Sequence, residues 1–364
     1  MHQETISDKQ AIMLVMLFII GTAIVFIPGF EAGKDVWLAV IFSVVMILPF
    51  IFMYARLLFL FPGKGLFDIL QSVFGKWLGK GLGILYIWFA LHLSSLIIRN
   101  FGDFVSTVGL RETPSIVSMI GIGLLCAWGV KQGIEVLGRW VEFFLPLLIV
   151  IVFGAIFLLM PEMDMNNVRP VLYDGIRPVA RGTFSIFSFP FGETIMFTMV
   201  FHALKTRQSC YKVYITGVCL TGIVGTLISL TVVLVLGVSG YLNAYFPTYA
   251  MVSKLNVGGF LQRVEVIVAV VFLLGGFIKA SICLIGASQG VAKVFGLKDY
   301  RFIVIPVVLL VLNLAYFHYE DVREMYRWTF AIWPYYAFAF QAIIPVLIWI
   351  FAEMAIRSRK KRDG

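Results

Sequence analysis

The sequence predicts an all-α protein that crosses a membrane about ten times. Each span requires about 20 consecutive apolar residues, and the chain contains about ten apolar runs of that length. Hydrophobic residues make up 60% of the 364 residues, charged residues only 13%, and the mean hydropathy is +0.95. Soluble domains carry about 25% charged residues, so this chain lacks the polar surface that a globule in water requires. The composition excludes both a cytosolic enzyme and a disordered chain.

Ten apolar stretches are long enough to cross a bilayer core about 30 Å thick. They are residues 10–31, 36–61, 81–104, 114–131, 140–160, 183–203, 212–239, 264–288, 302–318 and 329–354. We expect the first stretch to be a true span and not a signal peptide, because acidic residues precede it and no small-residue cleavage site follows. The short linkers leave no room for an extramembrane domain.

The formal net charge of +9 is carried mainly by short segments between the apolar stretches. Lys and Arg in such segments set membrane topology, so the charge does not indicate binding to nucleic acid. Basic residues are more frequent on the side of the N terminus, which predicts that both termini are cytoplasmic. We expect the basic tail, residues 355–364, to contact anionic lipid headgroups. Residues 66–80 alternate apolar and polar faces at helical spacing, which predicts an interfacial helix.

Two of the predicted spans are interrupted by helix-breaking residues. Gly21–Ala23, followed by Pro28–Gly29, interrupts the first, and Ser188–Gly192 interrupts the sixth. Each interruption lies in the first helix of a group of five, which predicts an inverted repeat with residues 1–160 and 183–354 as its halves and 161–182 as an extracytoplasmic linker. Unwound backbone at the bilayer midplane is tolerated where it lines a cavity, and in transporters with such repeats it binds substrate.

This pattern predicts a ligand site between the two interruptions. The candidate ligand-binding residues are Gly21, Thr22, Ala23, Ser188, Phe189, Phe191, Gly192, His92 and Ser281. Helix amides starting near Ala23 favour a carboxylate, and the hydroxyl of Thr22 either joins that contact or bonds its own helix. The ligand expected from this geometry is small and either anionic or zwitterionic.

Glu193 follows the second interruption directly, and Lys279 lies in the middle of the eighth span. A lone charge at the bilayer centre costs about 2.5 to 3.5 kcal/mol, so each requires a partner. Three hypotheses remain open: Glu193 and Lys279 pair to fix helix packing; the pair serves in coupling or gating; or Glu193 binds a ligand ammonium while Lys279 replaces a coupling cation.

Motifs for enzymatic catalysis, cofactors or metals are not found. The four cysteines have no CxxC spacing, and the histidines form no HExxH pair. The glycines after residue 62 lack the spacing of a phosphate-binding loop. We therefore expect neither enzymatic activity nor a resident cofactor.

Several local motifs together resemble those of the spore germination permease family, the B subunits of endospore germinant receptors, within the amino acid-polyamine-organocation transporter superfamily. The motifs are Gly21-Thr22-Ala23-Ile24 to Pro28, Phe61-Pro62-Gly63-Lys64, Arg169-Pro170-Val171-Leu172 with Gly175, Phe189-Pro190-Phe191-Gly192-Glu193, Phe246-Pro247-Thr248 and Arg263-Val264-Glu265. The resemblance extends over nearly the whole chain.

The resemblance implies a LeuT-type fold with broken helices 1 and 6 in the inner membrane of a spore. It implies a small-molecule germinant, such as an amino acid, sugar or nucleoside, and assembly with a membrane A subunit and a lipoprotein C subunit. On this interpretation the chain senses the germinant and signals to its partners. The alternatives are a proton- or cation-coupled amino acid transporter and a structural subunit with a vestigial pocket.

Overall fold

The computed structural model describes residues 4–109, 112–204, 206, 208–255 and 266–362, and these are almost entirely helical. The α-helices in chain order are α1 Asp8–Phe26, α2 Val36–Leu60, α3 Leu66–Phe104, α4 Ser115–Gln132, α5 Ile134–Leu159, α6 Ile176–Ile186, α7 Phe197–Val200, α8 Ser209–Asn243, α9 Pro247–Val252, α10 Val266–Phe295, α11 Val304–Phe317, α12 Val322–Arg327, α13 Trp333–Phe338 and α14 Ile344–Arg362. Short 3₁₀ and π segments join several of them.

Within the described residues, nine helical segments are long and apolar enough to cross a membrane, and Val304–Phe317 is a shorter apolar helix. Segments α6 and α7 belong to one interrupted span, residues 176–203, and α12 to α14 lie in another, residues 322–358. In α3, Gly75 adopts a positive φ of 77° and separates the segment that begins at Leu66 from the long apolar part. The expected part of the eighth span from residue 264 to 265 lies outside the described residues.

Helix α1 lies at the centre of the bundle, where it contacts α5, α8 and α10. It begins with a capping box, in which the Ser7 hydroxyl accepts from the Gln10 amide and the Gln10 side chain accepts from the Ser7 amide. From Leu14 to Phe26, every residue of this helix except Ala23 is buried. Helix α5 lies at the periphery, and Phe143 and Phe157 are 72% and 70% exposed there, as lipid-facing side chains are.

The predicted interruption at Gly21–Ala23 is wrong in its position. Helix α1 continues through these residues to Phe26 and ends where Ile27 adopts a left-handed conformation (φ 41°) before Pro28 and Gly29. Small residues alone do not unwind a helix that is packed on all sides, whereas Pro28 removes an amide that the helix requires. The helix N-terminus expected near Ala23 is therefore absent, and its amides are not a carboxylate site.

The second interruption lies where the sequence predicts it. A π segment, Phe187–Phe191, follows α6, and Phe189 has an extended conformation (φ −141°, ψ 111°). A 3₁₀ segment, Gly192–Met196, then leads to α7. Pro190 lacks an amide proton, so the regular hydrogen-bond ladder cannot pass through it.

Candidate functional site

The Lys279 ammonium on α10 forms an ion pair with the Glu193 carboxylate, just after the break in the sixth span. The two side chains are 0% and 1% exposed. The same ammonium donates to the hydroxyl of Thr22 on α1 at 2.8 Å. The pair proposed from the sequence is thus present, and Thr22 accepts from Lys279.

Two aromatic rings complete the surroundings of the Lys279 ammonium. It lies 4.8 Å from the ring centroid of Phe189 and 5.2 Å from that of Phe18. Cations bind to aromatic faces at such distances. Three elements, α1, the broken span and α10, thus meet at one buried charge. A substitution of Lys279 would therefore alter the contacts of all three.

A small cavity lies beside this ion pair, between α1, α3, the broken span and the last span. Its volume is about 20 Å³, which is room for about one water molecule. Its walls are Thr22, Leu93, Leu96, Ile97, Asn100, Phe189, Glu193, Trp328, Thr329 and Trp333. The Asn100 Oδ1 and Glu193 Oε1 atoms are buried and make no hydrogen bond to the part of the chain that the structure describes. Two unused acceptors beside an ammonium can bind a ligand that brings its own donors.

The unwound backbone at the second interruption is stabilised by the last span. The Ser188 carbonyl accepts from Gln341 Nε2 at 2.9 Å and from Trp333 Nε1 at 3.3 Å. The Ser188 hydroxyl donates to the carbonyl of Pro334 at 3.2 Å. Ser188 therefore connects the broken span to α13 and is not available to a ligand in this conformation.

The end of α1 is stabilised in the same way. The carbonyl of Ile24 would accept from residue 28 in a continuing helix, but Pro28 has no amide proton. The Thr248 hydroxyl on α9 donates to that carbonyl, and Tyr241 donates to the carbonyl of Ile27 at 3.1 Å. Thr248 belongs to the Phe246-Pro247-Thr248 motif, and this contact gives the motif a structural role.

Ala23 and Phe191 line a different cavity, whose walls include neither Lys279 nor Thr22. It has a volume of about 50 Å³ and is almost wholly apolar. Its walls include Ile24, Pro28 and Gly225. An apolar void of this kind suits a hydrocarbon group and not a charged one.

The remaining candidate residues have packing positions. Gly21 lies against the backbone of Gly275, and Gly192 lies against the Gln341 side chain. Ser281 is buried on α10, and its hydroxyl makes no hydrogen bond to the described residues. None of the three is among the walls of the cavity beside Glu193.

His92 lies one layer behind that cavity. Its ring centroid is 5.6 Å from that of Trp328 and 5.9 Å from that of Trp333, and both tryptophans line the cavity. Its Nδ1 shares a hydrogen bond with the Tyr336 hydroxyl at 3.3 Å, and the His318 ring lies 4.9 Å away. His92 thus positions aromatic residues and does not line the cavity itself.

The sequence prediction did not include Asn100, Trp328, Thr329, Trp333 or Gln341. Asn100 and Gln341 are polar residues within apolar runs, a signal that would have identified them. The two tryptophans carry no such signal, because aromatic residues are frequent throughout this chain.

The site can bind charge of both signs, since it presents an ammonium, a carboxylate, a hydroxyl and an amide oxygen within an aromatic enclosure. Among the described residues, no group of three or more His, Cys, Asp or Glu is placed to hold a metal ion.

The sequence of this chain is similar to those of known spore germination proteins. The sequence model described as "Spore germination protein" matches residues 5–323. Spore germination protein KB of Bacillus subtilis is 26% identical over 376 residues, covering 100% of this chain and 99% of the relative. Spore germination protein YndE of the same organism is 26% identical over 319 residues, covering 84% of this chain and 86% of the relative.

Two solved transporters share the fold. Mhp1, a nucleobase-cation-symport-1 family transporter solved with bromovinylhydantoin bound, superposes with a TM-score of 0.72 at 11% identity, covering 95% of this chain and 78% of its own. MhsT in complex with L-phenylalanine gives a TM-score of 0.70 at 11% identity, covering 97% of this chain and 89% of its own. The fold is LeuT-type, as the resemblance to the spore germination permease family implies.

Proposed function

Because this chain belongs to the spore germination protein family, we propose that it is the germinant-sensing subunit of a spore germination receptor. It binds a small zwitterion, an amino acid, in the cavity between α1 and the broken sixth span. Ligand binding changes the packing of the bundle, and the partner subunits detect that change.

The buried ion pair of Lys279 and Glu193 carries this proposal. A zwitterion matches the site group for group: its carboxylate replaces Glu193 at the Lys279 ammonium, and its own ammonium binds Glu193 and the unused Asn100 Oδ1. Each buried charge then keeps a partner, so the exchange avoids the cost of about 3 to 5 kcal/mol that follows from breaking a buried pair.

Ligand entry requires the bundle to expand, since the cavity has room for about one water molecule. Trp328, Thr329 and Trp333, which form one wall, belong to a stretch whose helix is interrupted by the π segment Trp328–Ile332. Movement of this wall away from Glu193 opens the cavity. A ligand that binds only the expanded packing shifts the population of molecules toward that packing. A shift from 1:99 to 99:1 takes about 5.5 kcal/mol of difference in affinity between the expanded and the closed packing.

The proposal includes the membrane in which the chain lies and the subunits with which it assembles. The chain is an integral membrane protein, and we place it in the spore inner membrane with both termini in the cytoplasm. Its partners are a germinant-receptor A subunit and a lipoprotein C subunit. Support comes from the relatives, which are spore germination proteins, and from the excess of basic residues on the side of the N terminus.

A coupled amino acid transporter is the second candidate, favoured by the fold shared with Mhp1 and MhsT. In that case Lys279 stands in place of a coupling cation, and Glu193 contacts the ligand ammonium. Uptake separates the two candidates: a labelled amino acid that accumulates in proteoliposomes containing this chain alone supports transport, whereas saturable binding without accumulation supports sensing.

Exchange of this subunit between two receptors of different germinant preference tests the sensing role in spores. We expect the preference to follow the exchanged subunit. Assembly of the receptor, checked by the amounts of the A and C subunits in the membrane, is the control. A correctly assembled receptor whose preference follows another subunit contradicts the proposal and favours a structural role for this chain.

A further inference from the structure

Trp328, in the wall of the cavity beside Glu193, carries a hydrogen-bond donor that the closed packing does not use. Its Nε1 atom is buried and makes no hydrogen bond to the residues that the structure describes. The N–H of a buried tryptophan usually has a partner, and a buried donor without one destabilises a protein. This N–H is therefore available to an acceptor on a molecule that enters the cavity.

Trp333, in the same wall, uses its indole differently. Its Nε1 donates to the carbonyl of Ser188 at 3.3 Å, so this side chain stabilises the unwound backbone of the broken span. The two tryptophans thus have separate roles. Trp333 holds the closed packing together, whereas Trp328 keeps its donor for another partner.

The indole of Trp328 is positioned by aromatic neighbours. Its ring centroid lies 5.6 Å from that of His92 and 6.4 Å from that of Tyr336. Packing of this kind restricts the rotation of a side chain and fixes the direction of its donor. Trp328 is also the first residue of the π segment Trp328–Ile332, and π segments within helices are frequent at functional sites.

The unpaired polar atoms around the cavity are of both kinds. Asn100 Oδ1 and Glu193 Oε1 are acceptors without a hydrogen bond to the described residues, and they suit an ammonium group. An indole nitrogen can only donate, so Trp328 suits a carboxylate. Lys279 is the other donor beside this cavity, and a carboxylate has two oxygens to accept from both.

We propose that Trp328 binds the carboxylate of the amino acid through its indole N–H, while the Lys279 ammonium binds the other carboxylate oxygen. This inference rests on the proposed function and assigns the residue of the last span that contacts the ligand. Because Trp328 belongs to the wall that moves, the bond forms only with the ligand present. The ligand then links the last span to α10.

The test measures equilibrium binding to the purified full-length protein, with whichever of the twenty L-amino acids has the lowest Kd as the probe. Trp328→Phe keeps an aromatic ring and removes the N–H. We expect it to raise the Kd about tenfold or more, since a hydrogen bond to a charged group is lost. We expect its thermal unfolding midpoint to change little, because the N–H has no partner among the described residues.

Two other tryptophans provide the controls. Trp333→Phe removes the bond to Ser188 and is expected to lower the unfolding midpoint. Trp128→Phe is expected to change neither the midpoint nor the Kd, because Trp128 is 56% exposed on α4 and is not among the cavity walls.

A second measurement follows the N–H itself in protein labelled with ¹⁵N at the tryptophan indoles. The Trp328 resonance is identified by its absence from the spectrum of Trp328→Phe or, if that variant does not fold, of Trp328→Tyr. We expect this resonance to move downfield when the amino acid binds. A resonance that stays in place at a saturating concentration overturns the inference.

The binding data separate this inference from the proposed function. Binding that is lost in Lys279→Met but unchanged in Trp328→Phe overturns the role of Trp328 and leaves the proposed function standing. Absence of binding for all twenty amino acids overturns both.

Discussion

Gly21 of α1 and Gly275 of α10 are in backbone contact. A Cβ atom added to Gly275 would lie 2.0 Å from the Cα of Gly21, and one added to Gly21 would lie 2.4 Å from the Cα of Gly275. Small residues allow helices in a membrane to approach this closely. The contact holds α1 and α10 together one residue from Thr22 and four residues from Lys279, so it fixes the distance between the two halves of the candidate site.

Gly275→Ala is expected to destabilise the protein. The added methyl group overlaps backbone, which cannot move aside as a flexible side chain does, and overpacking of this kind costs about 1 to 3 kcal/mol. Gly276→Ala is the control, because its Cβ would meet only the Ile97 side chain at 4.0 Å. Thermal unfolding in detergent measures both, and equal midpoints for the two variants would contradict the contact.

Glu193→Leu and Lys279→Met are each expected to lower the free energy of unfolding by about 3 to 5 kcal/mol, since each leaves one unpaired buried charge. The double variant removes both charges and is expected to lose less than either single variant. Reversible denaturation of all four proteins gives the coupling energy. If the double variant loses as much free energy of unfolding as the two single variants together, the two groups are not paired.

Thr248→Val is expected to lower the free energy of unfolding by about 1 to 3 kcal/mol, because it removes the donor to the Ile24 carbonyl and leaves that buried carbonyl unpaired. Thr226→Val is the matched control, since Thr226 donates to the carbonyl of Gly222 within its own helix, and that carbonyl keeps its helical partner. Denaturation measures the difference, and equal losses would exclude a capping role for Thr248.

Glu4→Gln is expected to loosen the N-terminal segment. Glu4 pairs with Arg301, accepts from the Ile134 amide at 3.0 Å and lies partly buried beside Gly133. Glu135→Gln is the control, because the Glu135–Arg139 pair is exposed and such pairs contribute about 0 to 1 kcal/mol. Hydrogen exchange of residues 4–10 reports the loosening, and unchanged protection in Glu4→Gln would count against this role.

Asn100→Ala is expected to weaken ligand binding with little loss of stability, because its Oδ1 has no partner among the described residues before the ligand arrives. Loss of a hydrogen bond to a charged group corresponds to about a tenfold or greater rise in Kd. Asn243→Ala provides the control, since the Asn243 side chain bonds Ser239 near the end of α8 and is not among the cavity walls. Binding isotherms compare the two, and equal affinities would remove Asn100 from the site.

The membrane spans follow from the sequence because hydrophobic length alone fixes spans in a bilayer, whereas the LeuT-type fold was expected from the resemblance to a family. Glu193 and Lys279 were identified for a similar reason, since a buried charge in a membrane requires a partner. The division into two five-helix repeats and the residue-by-residue ligand roles remain predictions.

Other features depend on contacts between distant segments and could not be predicted from local patterns. Gly21–Ala23 resembles a helix break, yet packing on all sides keeps it helical, and the chain breaks at Pro28, whose missing amide leaves the Ile24 carbonyl to Thr248. The carbonyl of Ser188 is paired by Gln341 and Trp333, about 150 residues away in the chain. A local sequence pattern gives no information about contacts between residues so far apart in the chain.

Equilibrium binding of each of the twenty L-amino acids to the purified protein tests whether the cavity beside Glu193 and Lys279 is a ligand site. We predict saturable binding of at least one amino acid that is lost in Glu193→Gln and in Lys279→Met. Binding is retained in Glu353→Gln, whose carboxylate pairs with Arg56, and neither residue is among the cavity walls. Binding that persists unchanged in folded Glu193→Gln and Lys279→Met proteins, or no binding of any amino acid, would contradict it.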